Sequence, residues 1–321
     1  MLSKKISRLI IGLLMACSHW SCESLVTDLD PNSIPGTRPK LVVESYISPQ
    51  LPAVQVSVSE SKTIYGPVDN NFISIKNAKV VLSDGSREIV LPYHTDLDRY
   101  QVDSATFRIV PGKTYLLTVS ANNKLVRAST VIPPAHVKLN RYLIDTLLNR
   151  NFRGDSTLRI RGFFNDPAGQ TNFFSHRAYI EYEVTEMVYD PVTGSYHQKR
   201  VRRRRIMDSD DNFGPSQLQN DINLDGKELK APTWYFTFPW QTLENINAPS
   251  IPDREYSPNP VIVKIHMETL NVDEAYYRFH RSWLEGSGNN PFSEPTVIFS
   301  NIQDGLGCFG SYQNGVTIIR F

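Results

Sequence analysis

Cysteine is scarce: three in 321 residues, at 17, 22 and 308. That excludes a scaffold stapled by several disulfides. Long apolar runs are missing too. The longest one near the N-terminus, Leu9–Ala16, is far short of the ~20 residues needed to cross a bilayer. There is no large excess of positive charge, with 34 Lys and Arg against 33 Asp and Glu, which argues against a general nucleic-acid binder. No HExxH pair, GxSxG elbow or glycine-rich phosphate loop occurs. Neither an internal repeat nor a low-complexity segment is seen. No catalytic, cofactor-binding or metal-ligating set is therefore assigned, and the chain is not read as an enzyme.

What the chain does carry begins at its N-terminus. Lys4, Lys5 and Arg8 precede the apolar run, and the run closes on Cys17 with a small residue, Ala16, before it and Leu14 three before it. This pattern predicts an export signal ending at a lipid-accepting cysteine. Cys17 has the better local context; Cys22, preceded by Ser21, is the alternative acceptor. Removing Lys4, Lys5 and Arg8 leaves 31 basic residues against 33 acidic. Three acyl chains, at ~0.8 kcal/mol per buried CH₂, would hold the protein firmly on a lipid bilayer. Residues 1–17 are read as the signal region and residues 18–39, with Pro31, Pro35, Gly36 and Pro39, as a tether.

Ordered structure is expected from Lys40. Leu41–Ile47 and Val54–Glu60 have strand character, the second with Val54, Val56 and Val58 on one face. Asn77–Leu91 predicts a hairpin turning at Asp84-Gly85, and Tyr115–Val119 pairs with Leu125–Val131 across Asn122-Asn123. At least six strands within about 95 residues imply a β-sandwich, immunoglobulin-like or transthyretin-like. The expected fold is mainly β with two β-sandwich-like domains, residues 40–134 and 156–321, joined by a linker at 135–155. Within that linker, Leu139–Leu148 is read as either a short helix or an edge strand.

The second domain is expected to hold one amphipathic helix packed on its sheet, Val272–Glu285. Asn271 would cap it, Glu274 would stand at the third helical position, and Val272, Tyr276, Phe279 and Trp283 would form a buried stripe. Cys308, between Gly307 and Phe309, is read as a small core residue.

Three polar groupings invite chemistry. Lys199–Arg205 holds six basic residues in seven. A hairpin centred near Val192-Thr193 would set Glu183 opposite Arg202, Glu181 opposite Arg204 and Glu186 opposite Lys199. An ion-paired, solvated strand is thereby preferred to a phosphate-binding one. Asp221-Ile222-Asn223-Leu224-Asp225-Gly226 opens like a calcium loop, with oxygen ligands at positions 1, 3 and 5 and glycine at 6. Pro232 stands at the twelfth position, where a glutamate belongs, so a polar turn is the preferred reading. Asp166 and Glu183 are the residues that a glycoside-hydrolysing carboxylate pair would draw on, without any spacing that specifies one.

Several stretches resemble one family in order and spacing: Cys22-Glu23, Val26–Pro31, Lys40–Glu44, Pro111–Tyr115, Phe164–Phe174, Asn290–Phe292, Ser300–Ile302 and Gly305–Tyr312. The chain resembles the Bacteroidota lipoproteins that carry the domain of unknown function DUF4249. The resemblance implies Cys22 as the mature N-terminus, in conflict with the local chemistry that prefers Cys17. It also implies an outer-membrane location, facing the cell surface or the periplasm, and association with a TonB-dependent receptor. It transfers no catalytic or ligand residue. The functional expectation is an accessory lipoprotein of nutrient uptake that binds rather than catalyses. A surface lipoprotein binding glycan or peptide alone, or a hydrolase, is the alternative.

Overall fold

The first strand of the described chain, Leu41–Ile47, runs parallel to the last, Leu306–Arg320, with Val42 opposite Leu306 and Ile47 opposite Ser311. The computed structural model describes residues 39–62, 74–148, 156–210, 217–237, 261–286 and 297–321. One compact unit takes in Lys40–Ser61 and Phe72–Phe321. A second grouping, Met1–Pro39 and Lys62–Asn71, lies almost wholly outside the described residues.

Chain order runs β1 (Leu41–Ile47), β2 (Ala53–Glu60), β3 (Lys79–Ser83), β4 (Glu88–Leu91), β5 (Tyr93–His94), β6 (Arg99–Asp103), β7 (Thr114–Ala121) and β8 (Lys124–Val131). Then come β9 (Leu139–Leu148), β10 (Ser156–Asn165), β11 (Phe173–Asp190), β12 (Ser195–Ile206), β13 (Asp208–Ser209), β14 (Leu218–Asn220), β15 (Glu228–Thr237) and β16 (Val261–Val272). Helix α1 (Glu274–Gly286) and β17 (Leu306–Arg320) follow. The protein is mainly β, as its alternating apolar patterns predict.

One long sheet runs β12-β11-β16-β17-β1-β2-β6-β5, with β14 also on β11. Two smaller sheets, β4-β3-β7-β8 and β13-β15-β10-β9, supply separate cores. The first core joins Val43, Val56 and Tyr100 of the long sheet to Val80, Leu117 and Val126 of the first small sheet. The second joins Ile180, Ile265 and Ile319 of the long sheet to Ile160, Trp234 and Phe236 of the other. Each core is thus closed between two sheets, and the long sheet serves both. Burying such side chains contributes ~1.5–3 kcal/mol apiece.

Strand β17 makes that sharing possible. Its first part pairs with β1, and from Tyr312 to Arg320 it pairs with β16. The two regions that the sequence reading separates at 135–155 are therefore hydrogen-bonded to each other through one strand. The crossing from β8 is also fastened down. Pro133 and Pro134 have no N–H to offer a ladder, and side chains take the backbone carbonyls instead. Ser311 Oγ donates to Val131 O at 2.8 Å, Gln313 Nε2 to Pro133 O at 2.6 Å, and Asn271 Nδ2 to Ala135 O at 3.1 Å. This accounts for the buried polar residues Ser311, Gln313 and Asn271. Leu139–Leu148 is the edge strand of its sheet, which resolves the helix-or-strand alternative.

Helix α1 differs from its expected form. Asp273, rather than Asn271, is the cap: its Oδ1 accepts from Tyr276 N at 3.0 Å and from Ser311 N at 3.1 Å. Asn271 and Val272 belong to β16, where Asn271 serves the crossing. The stretch therefore stays extended two residues longer than the capping-box pattern implies, and Glu274 starts the helix. Tyr276, Tyr277 and Phe279 are buried, whereas Trp283 is 54% exposed rather than buried. Its ring stands 6.3 Å, centroid to centroid, from that of Phe279 one turn earlier.

Candidate functional site

Two loops meet at one end of the second sandwich. Strand β10 ends at Asn165, and Asp166-Pro167-Ala168-Gly169 turns the chain toward β11; proline and a Gly169 with φ +94° prevent the strand from continuing. The opposing loop, Asp221–Gly226, links β14 to β15, and its Gly226 has φ +70°. A Cβ at Gly226 would approach Ala168 Cβ to 2.9 Å, so the loops touch there.

The loops hold each other through carboxylates. Asp166 Oδ2 accepts from Gly226 N at 2.8 Å, Asp225 Oδ1 from Gly169 N at 2.8 Å, and Asp221 Oδ2 from Asn172 N at 3.0 Å. Asp166 and Asp221 are buried and Asp225 is exposed. Each of the three places an oxygen within 4.8 Å of the oxygens of the other two. Burial pushes the Asp166 carboxyl above its ordinary range, the charges of Asp221 and Asp225 add to the rise, and the Gly226 N–H opposes it. Asn172 also lines a cleft of about 480 Å³ between the crossing and the start of α1, beside Pro133, Phe173 and Asp273. A second cleft, of about 310 Å³, lies over β1 and β2 beside Glu44, Tyr46, Gln55 and Arg99.

The remaining expected residues are dispersed. Cys17 and Cys22 lie outside the described residues. Asp166 and Glu183 have separate partners, Glu183 being bound by Arg200 and Arg202 at 3.0 Å each. The hairpin register matches the expected one, with Glu183 opposite Arg202, Glu181 opposite Arg204 and Glu186 opposite Lys199. The ion pairs only partly follow it. Glu186 takes Arg203 instead of Lys199, and Glu181 turns to Lys264 and His266, while Arg204 lies over the Tyr179 ring. Asp210 Oδ1 accepts from Thr233 N, tying β13 to β15.

The thiol and two of the imidazoles are spent on packing. Cys308 is fully buried and free, and burial pushes its thiol far above the ordinary range. His176, between Phe164 and Phe174, is pushed down to about 4 by burial and shares a hydrogen bond with Gln219 Oε1 at 3.1 Å. His280, against Tyr46 and Tyr276, is likewise pushed down to about 4 by burial, with the Arg177 charge adding to the fall. His266 is engaged with Glu181. An imidazole neutral at pH 7 and held in an aromatic cage is not poised for proton transfer.

The family described as Domain of unknown function (DUF4249) matches residues 23–318. No curated protein matches the chain. Among solved structures, a Biofilm associated protein B domain is similar at 8% identity over 85% of each chain, with a TM-score of 0.17. A Salmonella alpha-2-macroglobulin that has reacted with methylamine is similar at 10% identity, over 94% of this chain and 24% of its own, with a TM-score of 0.20. At such TM-scores neither likeness carries an argument.

Proposed function

The chain belongs to the DUF4249 family, and we propose that it acts as a lipid-anchored accessory protein of the outer membrane, binding a TonB-dependent receptor during nutrient uptake. The observation that carries the reading is the N-terminal pattern, a basic and apolar leader closing on Cys17 or Cys22 ahead of a wholly different, mainly β body. A partner surface fits β12. It ends the long sheet, and 11 of its 12 residues are exposed. Of its basic residues, Arg200, Arg202 and Arg203 are met by Glu183 and Glu186. An edge strand of this kind offers backbone groups and positive charge to a protein partner, and its arginines deter self-association.

The test is affinity capture of the detergent-solubilised lipoprotein from native membranes, with intact-mass measurement of its N-terminus. Stoichiometric recovery of a TonB-dependent receptor with a triacylated Cys17 or Cys22 supports the reading. Recovery of the lipoprotein alone, with turnover of a glycan or peptide that one acidic or histidine substitution abolishes, overturns it. An unmodified N-terminus removes the anchoring half.

A further inference from the structure

We propose that Asp166, Asp221 and Asp225 form a calcium site that locks the loop after β10 onto the loop before β15. Three ionised carboxylates with oxygens within 4.8 Å of one another repel one another, and a cation lying among them relieves that repulsion. Proximity alone would not settle the matter, since acidic residues cluster on many surfaces. Asp166 supplies the independent observation. It is 5% exposed, its Oδ2 is held by Gly226 N, and its Oδ1 is buried with no hydrogen-bond partner among the described residues. An unpaired buried carboxylate oxygen costs more than a neutral orphan does. A cation shared with Asp221 and Asp225 removes that cost and the repulsion together.

The donor set selects the ion. All three ligands are hard carboxylate oxygens, and among the described residues no imidazole or thiolate joins the cluster. Oxygens within 4.8 Å of one another can all reach one calcium ion at its ~2.3–2.6 Å contact distance. Magnesium demands near-octahedral geometry and gives up its waters reluctantly, so an all-carboxylate clasp built from two loops suits it less well. Each carboxylate has one oxygen tied to a backbone N–H of the clasp and a second oxygen outside those bonds. Exposed Asp225 leaves a side open through which the ion enters and water completes its coordination. Pro232 occupies the position where the Asp221–Gly226 loop would need a bidentate glutamate, and Asp166, arriving from the other loop, provides the missing carboxylate.

The full-length protein in detergent, stripped with a chelator, is titrated with calcium chloride by calorimetry, and its thermal midpoint is followed in parallel. One calcium per chain is expected, with a rise in midpoint that magnesium chloride at equal concentration does not reproduce. Asp225→Asn, on an exposed side chain, should still fold and should bind calcium at least about tenfold more weakly. Asp166→Asn removes a negative charge from the cluster, so its calcium-free midpoint should equal or exceed that of the unaltered protein while its response to calcium disappears. No binding up to about 10 mM calcium, above the range of weak extracellular sites, overturns the proposal. So does unchanged affinity in folded Asp225→Asn, or preference for magnesium.

Discussion

Asp273→Ala should be among the most damaging single truncations of a polar side chain in this protein. The carboxylate is the point where three elements meet: Tyr276 N at the start of α1, Ser311 N in β17, and the Thr130 hydroxyl in β8 all donate to it. Loss of a helix cap costs ~1 kcal/mol. Ser311 is fully buried, so its N–H would be left without its acceptor at ~1–3 kcal/mol, and Thr130, 3% exposed, adds a similar or smaller amount because a hydroxyl can rotate to another partner. The total is about 3–5 kcal/mol. Asp273→Asn is the control. An amide oxygen still accepts from both backbone N–H groups, and Thr130 can turn to accept from the amide nitrogen, so the loss should stay within ~1 kcal/mol. Burial raises the pKa of Asp273 while its donors pull it down, so neutralising it should not itself be costly. Urea denaturation followed by far-UV circular dichroism and by the fluorescence of buried Trp234 measures both variants. A loss below ~1 kcal/mol in Asp273→Ala, or equal losses in the two, would refute the assignment of Asp273 as the shared acceptor.

Trp283→Ala should change stability by less than ~1 kcal/mol in the same denaturation assay, because the indole is more than half exposed; a loss of several kcal/mol would mean that it is covered. Gly307→Ala should prevent accumulation of folded protein or lower the melting midpoint sharply, since φ is +106° and the new Cβ would lie 2.1 Å from Val43 O at the β1–β17 seam. His176 predicts a pH dependence: its folded pKa is depressed from 6.5 to about 4, so the unfolded chain binds the proton first. The stability it contributes is complete above about pH 6.5 and is lost as pH falls toward about 4, by ~3 kcal/mol at ~1.4 kcal/mol per pH unit. Denaturation free energies at about pH 7 and about pH 4.5 that agree within error would refute the buried neutral imidazole.

What was legible from one sequence follows the range of the interactions concerned. Hairpins were legible, because register and turn sit within a few residues of each other. Asn122 and Asn123 both take positive φ at the β7–β8 turn, and the β11–β12 register follows from the position of its turn alone. Helix α1 was legible as an amphipathic run, but its boundary was not. Asn271 has a capping side chain and suitable spacing, yet the crossing at Ala135 claims its amide, and a contact so distant in sequence overrides local propensity. Trp283 failed for a related reason: helical periodicity says which residues share a face, not how far along that face the sheet extends. The domain division at 135–155 follows the local strand pattern, which cannot register that β17 changes partner from β1 to β16 midway.

The acidic clasp shows the same limit at the level of chemistry. Asp221, Asn223 and Asp225 stand at recognisable spacing, and judged by its own twelve positions the loop is incomplete, because Pro232 cannot ligate. In the sequence Asp166 stands out only as half of an arbitrary carboxylate pair. Its role depends on antiparallel pairing of β10 with β15, which brings Asn165 opposite Glu228 and so places the loop that leaves one strand beside the loop that enters the other. In that arrangement proline at the twelfth position is no longer a defect. It lies within β15, and the third carboxylate comes from the neighbouring strand's end. The spacing along a single loop therefore tests for a calcium site only when a single loop builds it; here the relevant spacing runs across the sheet, from Asp166 to Gly226.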